Sequence, residues 1–413
     1  MTAEETPASS NDDETTQAQT TTEVTTDATT DSQEATPATE ALEWHAPVMV
    51  RIDEHTTIPH LLKERVQRGA TRPLILRKIG IGDTWRSITA REFYDEVHAL
   101  AAGLIARGLE PDDRVAIMSR TRYEWTLFDF ACWAAGLVPV PIYETSSIDQ
   151  VAHVLVDADV HLIITETVSM AEIVRAAAHR ENRDNTHVLS LDSEAIETLI
   201  AEGSATPRER VLARSEALTK DDIATIVYTS GTTGTPKGTV LSHENFTNLC
   251  LNAHAWMPEI AAGKNSRLLL FLPLAHVFAR FLQVFQISGN GVLGHAPNIK
   301  NLLPDLASFR PSYLLVVPRV LEKIYNSADT KARGPKQKIF RWAAKVAIAY
   351  SQALDTEEGP TASLKAQHAL ADKLVYQQII RLVGGNADYI VSGGAPLAPW
   401  LAHFYRGVGI PVL

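Results

Sequence analysis

The sequence predicts an α/β protein with a largely parallel sheet. Three observations carry that expectation: short β-rich runs alternate with helical periods from Trp85 onward, two capping-box sequences mark helix starts, and a β-branched run passes directly into a Gly/Thr-rich loop. Thr89-Ala-Arg-Glu92 reads as the first capping box, opening a helix whose apolar positions Phe93, Val97, Leu100 and Leu104 fall at helical spacing and which ends near Gly108. Arg114–Ser119 is a strand candidate, followed by an aromatic-rich helix from about Arg122 to Ala135. Its aromatics Trp125, Phe128, Phe130 and Trp133 read as core rather than as a ligand pocket, because aromatics dominate ordinary cores. Pro139–Tyr143 is extended, and Ser147 with Gln150 frames the second capping box. His161–Thr165 and His187–Leu191 read as strands with a helical stretch between them. Residues 327–372 are charged, Ala-rich and helical, with a breaker at Glu358-Gly-Pro360. Ile339, Ala343, Val346, Tyr350 and Ala353 are expected on the apolar face, with Lys336, Lys338, Arg341 and Lys345 mostly off it. Such a basic helix has two readings: a solvated face on a packed helix, or a peripheral contact with anionic membrane lipid.

Charge narrows the function. The chain carries 38 Lys and Arg against 49 Asp and Glu, a net charge of −11. Residues 1–43 hold 11 of those acids, 13 Thr and no Lys or Arg, so the remaining 370 residues are neutral with 38 of each sign. A neutral globular part lacks the basic footprint of a nucleic-acid partner. The first 43 residues have too little apolar surface to offset their ordering entropy and are expected to be a disordered acidic tail, with globular sequence beginning near Trp44. Only Cys132 and Cys250 occur, which suits a reduced compartment, and neither a signal-peptide pattern nor a spanning run appears: the longest strongly apolar run, Phe130 to Tyr143, has 14 residues. Spanning needs roughly 20. The expectation is a cytoplasmic chain, with membrane association as the second reading of the basic helix.

The chemistry concentrates in Ile223–Phe246. Ile223–Tyr228 is a β-branched run expected to be a buried strand, and it feeds into Thr229, Ser230, Gly231, Thr232, Thr233, Gly234, Thr235, Pro236, Lys237 and Gly238. The three glycines permit positive φ and close backbone approach, the hydroxyls add donors, and successive N–H groups can cup an anion. Lys237 adds a point charge suited to a polyphosphate. A plain linker fits poorly, since linkers do not usually follow a buried strand and carry a single pinned Lys. The G-x-x-x-x-G-K-[ST] pattern also fails: the fifth residue after Gly231 is Pro236, and Lys237 is followed by Gly238. That argues against a Walker-type phosphotransferase.

This loop resembles the signature of the AMP-forming acyl-adenylate superfamily. Further matches follow in order. Leu272-Pro-Leu-Ala-His276-Val-Phe-Ala-Arg280 is similar to the family segment that places a His near the reacting carboxylate. A lone His in an apolar stretch is otherwise a core histidine, and both readings of His276 stay open at this point. Val317-Pro-Arg-Val-Leu-Glu-Lys-Ile-Tyr325 and the helical insert after it resemble long-chain fatty-acid–CoA ligases, and Ser392-Gly393-Gly394-Ala395-Pro396-Leu397 resembles the family's adenine-side loop or, read plainly, a tight turn after the strand Tyr389–Val391.

The resemblance implies a fold and a reaction. The fold is the family's large N-terminal domain, two α/β subdomains plus part of a β-rich one. The reaction uses ATP, Mg²⁺ and coenzyme A: a fatty-acid carboxylate attacks the α-phosphorus, pyrophosphate leaves, and the coenzyme A thiol displaces AMP. It implies the Thr229–Gly238 loop on the phosphates, His276 as the catalytic histidine and Gly393–Pro396 beside the adenine. A non-catalytic adenylation-like module binding nucleotide or acyl groups is the alternative. The family's Tyr-Gly-x-Thr-Glu motif and the elements after it do not occur in these 413 residues. The sequence is therefore expected to be a C-terminally incomplete ligase without the family's small C-terminal domain, doubtful as an enzyme on its own.

Overall fold

A computed structural model of the chain describes residues 47–80, 84–229, 236–261, 263 and 266–413. The acidic tail 1–43 lies outside the described residues, as do Ser230, Gly231, Thr232, Thr233, Gly234 and Thr235 of the loop.

Both capping boxes form. The Thr89 amide donates to the Glu92 carboxylate at 2.7 Å and the Glu92 amide donates back to Thr89 Oγ1 at 3.2 Å. The helix they open, Ala90–Ala106, buries Phe93, Val97, Leu100 and Leu104 as its spacing requires. Ser147 and Gln150 make the same reciprocal pair ahead of the helix Ile148–Asp157.

The strands in chain order are β1 (Pro73–Lys78), β2 (Trp85–Thr89), β3 (Arg114–Met118), β4 (Val138–Ile142), β5 (Val160–Thr165) and β6 (His187–Ser190). They continue as β7 (Ile223–Thr229), β8 (Lys237–Ser242), β9 (Arg267–Leu270), β10 (Val292–His295), β11 (Tyr313–Val316) and β12 (Tyr389–Ser392). One sheet has the order β4-β3-β5-β6 and is parallel throughout. The antiparallel β7-β8 hairpin lies against it, with Thr225 Oγ1 donating to the Pro139 carbonyl at 2.6 Å. The other sheet has the order β2-β1-β10-β9, with β1, β10 and β9 parallel and β2 antiparallel at its edge. The parallel pair β11-β12 flanks β9, joined where the Ser312 amide donates to the Arg267 carbonyl at 3.1 Å. Past β12, Ile390 makes one isolated parallel bridge to Val412. The expected α/β class with mostly parallel pairing is what forms.

The helix Tyr123–Ala134 belongs to the main core, and all twelve of its residues are buried. A helix that is apolar nearly all round has no solvent face to offer. Trp125, Phe128, Phe130 and Trp133 are accordingly core side chains.

Around the breaker the helices Pro335–Ala353 and Ala362–Ala371 form, with Gly359 at φ +65° between them. The expected face of the first helix needs correcting. Ile339 is exposed, Tyr350 and Ala353 are only half-buried, and Phe340, Ala343, Ala344, Val346, Ala347 and Ser351 are the buried set. The face is rotated by about one residue because the helix packs on Pro399–Val408, where a Cβ on Gly407 would stand 2.1 Å from the Ala347 carbonyl oxygen. That contact fixes the helix's rotation. Lys336, Lys338 and Lys345 remain exposed. Among the described residues no helix is long and apolar enough to cross a membrane.

One packing choice sets a pH dependence. His243 is fully buried at the start of the helix His243–Trp256, where its Nδ1 accepts from the Ile58 amide at 3.3 Å. Burial pushes its pKa down from 6.5 to about 4, despite nearby Asp222. The unfolded chain therefore takes up a proton near pH 6.5 that the folded ring refuses until about pH 4. The stabilisation is complete above pH 6.5 and drains away as pH falls, with a loss on the order of 2 kcal/mol by pH 5. The fall in Tm between pH 7.5 and pH 5 is expected to shrink in His243→Gln. An equal fall in both proteins would place the acid sensitivity elsewhere.

Candidate functional site

The two described ends of the phosphate-type loop are both held by the helix Ile148–Asp157. β7 is buried only in part and not throughout as expected: Ala224, Thr225 and Val227 are buried, Ile226 and Tyr228 are half-buried, Ile223 is exposed, and the strand delivers Thr229, exposed, at its last residue. Just before it, Tyr228 donates from its hydroxyl to Asp157 Oδ2 at 2.6 Å. Partial burial and the Asp157 carboxylate push the phenol pKa up, so it stays protonated. At the other end His153 Nε2 donates to the Pro236 carbonyl at 2.7 Å. Lys237 then opens β8, exposed and directly opposite Thr229 in the antiparallel register. Gly238 follows under close cover: a Cβ there would stand 2.9 Å from Ile226 Cγ2 and 3.2 Å from the Tyr228 ring. A side chain at this position would have to displace Ile226 or Tyr228.

His276 is exposed, which removes the core-histidine reading. It caps the helix Val277–Ser288, and its Nδ1 accepts from the Phe278 amide at 3.2 Å. The neutral ring therefore carries its proton on Nε2. The N-terminal turn of this helix adds a partial positive charge that favours an anion nearby.

Thr229, Pro236 and His276 line one cleft of about 430 Å³. Its apolar wall comes from Pro141, Ile142, Val154, Val227 and Val277, and its polar groups include Tyr143, Ser146, Gln150 and Tyr228. This size and lining suit an amphiphilic small molecule. The cleft opens at the carboxyl ends of β4 and β7, where open α/β sheets usually bind ligands.

The structure thus brings Thr229, Pro236 and His276 to one cleft, whereas Lys237 and Gly238, which follow on β8, are not among its lining residues. Gly393, Gly394, Ala395 and Pro396 lie elsewhere, between β12 and the helix Pro399–Val408, and do not line this cleft. Gly393 donates to the Val316 carbonyl at 3.3 Å, and Gly394 has φ +80°, so the turn reading of this segment is satisfied locally. Tyr143, Ser146 and Gln150 were not singled out as site residues from the sequence. The available signal was the second capping box, which follows β4 at a strand's carboxyl end.

A family profile described as AMP-binding enzyme matches residues 62–413. The Long-chain-fatty-acid–CoA ligase FadD15 of Mycobacterium tuberculosis is 39% identical over 373 residues, covering 90% of this chain and 62% of the relative. Long chain acyl-CoA synthetase 5 of Arabidopsis thaliana is 29% identical over 360 residues, covering 82% of this chain and 52% of the relative. The chain therefore spans less than two thirds of the length of these relatives. Among solved structures, the adenylation domain of a carboxylate reductase from Mycobacterium chelonae superposes with a TM-score of 0.63 at 19% identity, covering 86% of this chain and 57% of that one. A Mycobacterium tuberculosis fatty acyl CoA synthetase gives 0.61 at 21% identity, with 86% and 58% covered. At these identities the two structures speak for the fold alone: the chain has the architecture of an adenylation domain.

Proposed function

Because the chain belongs to the AMP-binding enzyme family, we propose that its cleft serves a long-chain fatty acid–CoA ligase, in which a fatty acid is activated with ATP and passed to coenzyme A. The observation that carries this reading is the meeting of Thr229, Pro236 and His276 at one cleft with apolar walls. The ligase names of the relatives support it over a non-catalytic module.

In the proposed reaction a carboxylate oxygen attacks the α-phosphorus of ATP, the bond to pyrophosphate breaks, and the thiol of coenzyme A then displaces AMP from the acyl-adenylate. Negative charge grows on the phosphoryl oxygens and the leaving pyrophosphate, so preplaced donors are the chief requirement. The Thr229–Gly238 loop and Lys237 are proposed to hold the β- and γ-phosphates. His276 is proposed to donate from Nε2 to the reacting carboxylate or its adenylate, with Gly393–Pro396 on the adenine side. Mg²⁺ is proposed as the ion that travels with the phosphates. A cytoplasmic site of action remains part of the proposal. So does a peripheral contact of anionic lipid with exposed Lys336, Lys338 and Lys345, which co-sedimentation with anionic vesicles would test.

The deciding assay is ATP–pyrophosphate exchange by the full-length protein with and without palmitate. Exchange that depends on palmitate is the expected result. Exchange indifferent to fatty acid, or none under conditions where the protein is folded, would overturn the assignment.

A further inference from the structure

Within the buried core runs a chain of polar side chains to which the reaction above assigns no part. Arg280 and Asp129 are both fully buried and paired at 2.9 Å from Nη2 to Oδ1. The other guanidinium nitrogen, Nη1, donates to Thr225 Oγ1 at 2.7 Å, and that hydroxyl passes its own proton to the Pro139 carbonyl. On the other side Gln283 Nε2 donates to Asp129 Oδ2 at 2.6 Å, while Gln283 Oε1 accepts from Thr126 Oγ1 at 2.8 Å. Thr126 has one proton and has given it to Gln283, so His295 Nε2 must be the donor in its 2.8 Å contact with that hydroxyl. Every bond in the chain then has a single direction, from His295 through to Asp129 and from Arg280 to Pro139.

An ion pair taken out of water gains little stability over well-packed apolar residues of the same volume. Its use is better sought in what it joins. Asp129 and Thr126 belong to the wholly buried helix Tyr123–Ala134, and Thr225 lies four residues before Thr229 on β7. Arg280 and Gln283 belong to the helix that His276 caps, and Arg280 follows His276 by one turn. The fork of Arg280 therefore ties the helix bearing His276 to the strand bearing the phosphate loop, with Asp129 as the fixed post between them.

We propose that the buried Arg280–Asp129 pair is a positioning device that sets His276 against the Thr229 side of the cleft, acting on the chemical step rather than on nucleotide affinity. The proposal rests on the reading of the cleft as the adenylate-forming site. Misplacing a reacting group by about 1 Å can cost roughly a hundredfold in rate.

The test is a double-mutant cycle in the full-length protein, read as kcat and KM for ATP in palmitate-dependent adenylate formation. Arg280→Met and His276→Ala are each expected to lower kcat by roughly thirtyfold to a hundredfold, with KM for ATP changed less than about threefold. Because Arg280 acts through His276, the combined variant should be no more than about threefold worse than the poorer single one. Arg280→Met leaves Asp129 buried without its partner and can fail to fold, so the apolar pair Asp129→Leu/Arg280→Met is included. It is expected to recover the melting temperature while kcat stays low. Losses that multiply in the combined variant, or a kcat that returns with the melting temperature in the apolar pair, would overturn the positioning role and leave the cleft reading standing. A harmless His276→Ala would overturn both.

Discussion

Lys237→Ala is expected to lower kcat/KM for ATP by roughly tenfold to a hundredfold in fatty-acid-dependent adenylate formation. The reasoning starts from place. Lys237 sits across the β7-β8 ladder from Thr229, so its backbone is held where the loop rejoins the hairpin. A charge-assisted hydrogen bond to a phosphate oxygen is worth about 1.5–3 kcal/mol, and that range spans the stated loss. The melting temperature should be unchanged, since Lys237 is exposed and truncating it removes no core contact. ATP–pyrophosphate exchange and the thermal melt, measured on the same preparation, separate the two effects. Exchange within twofold of the unmodified protein would remove Lys237 from the site.

Gly103→Val should destabilise the fold by about 3 kcal/mol, the upper end of what overpacking costs. Gly103 lies in the helix Ala90–Ala106 where the helix Ala195–Glu202 crosses it, and a Cβ there would stand 1.9 Å from the Leu199 carbonyl oxygen. Approach is equally tight from the other side, with a Cβ on Gly203 meeting the Gly103 nitrogen at 2.3 Å. Both obstacles are backbone, so neither can swing aside as a side chain would, and the helices must separate. Gly69→Ala is the matched control. Its added Cβ would meet only the Arg72 side chain, at 2.7 Å, which can rotate away. Chemical denaturation of the two variants should show a large drop for the first and almost none for the second. Similar midpoints would mean the helix crossing relaxes freely.

Local chemistry was legible in the sequence wherever one stretch of chain decides the outcome. Thr89 with Glu92 and Ser147 with Gln150 mark helix starts because each pair satisfies its own amides within a turn. The strands of the parallel sheet were legible for the same reason, as apolar runs bounded by turns. What depended on partners was not. Ile339 and Phe340 are adjacent, and which one turns inward is set by the contact of Gly407 on Ala347, some 60 residues away. The Arg280–Asp129 pair spans 151 residues of sequence, and nothing in either neighbourhood announces the other. At the candidate site, family resemblance points to His276 and the loop, whereas in the sequence Gln150 reads only as a helix cap. Its second role, as cleft wall, exists only once β4 and β7 lie side by side.

The wholly buried helix Tyr123–Ala134 has a consequence for exchange with solvent. A segment with no exposed residue cannot open alone, because lifting any turn of it would first displace the helices and strands on every side. Its amides should therefore trade hydrogen for deuterium only through global unfolding, with a steep dependence on denaturant. The exposed turns around Gly359 lack such cover and should exchange through small local fluctuations. Asp129, in the middle of that slow segment, is thus anchored in the part of the molecule that opens last. Warming that loosens the turns around Gly359 should leave the spacing between His276 and β7 unchanged until the fold gives way as a whole.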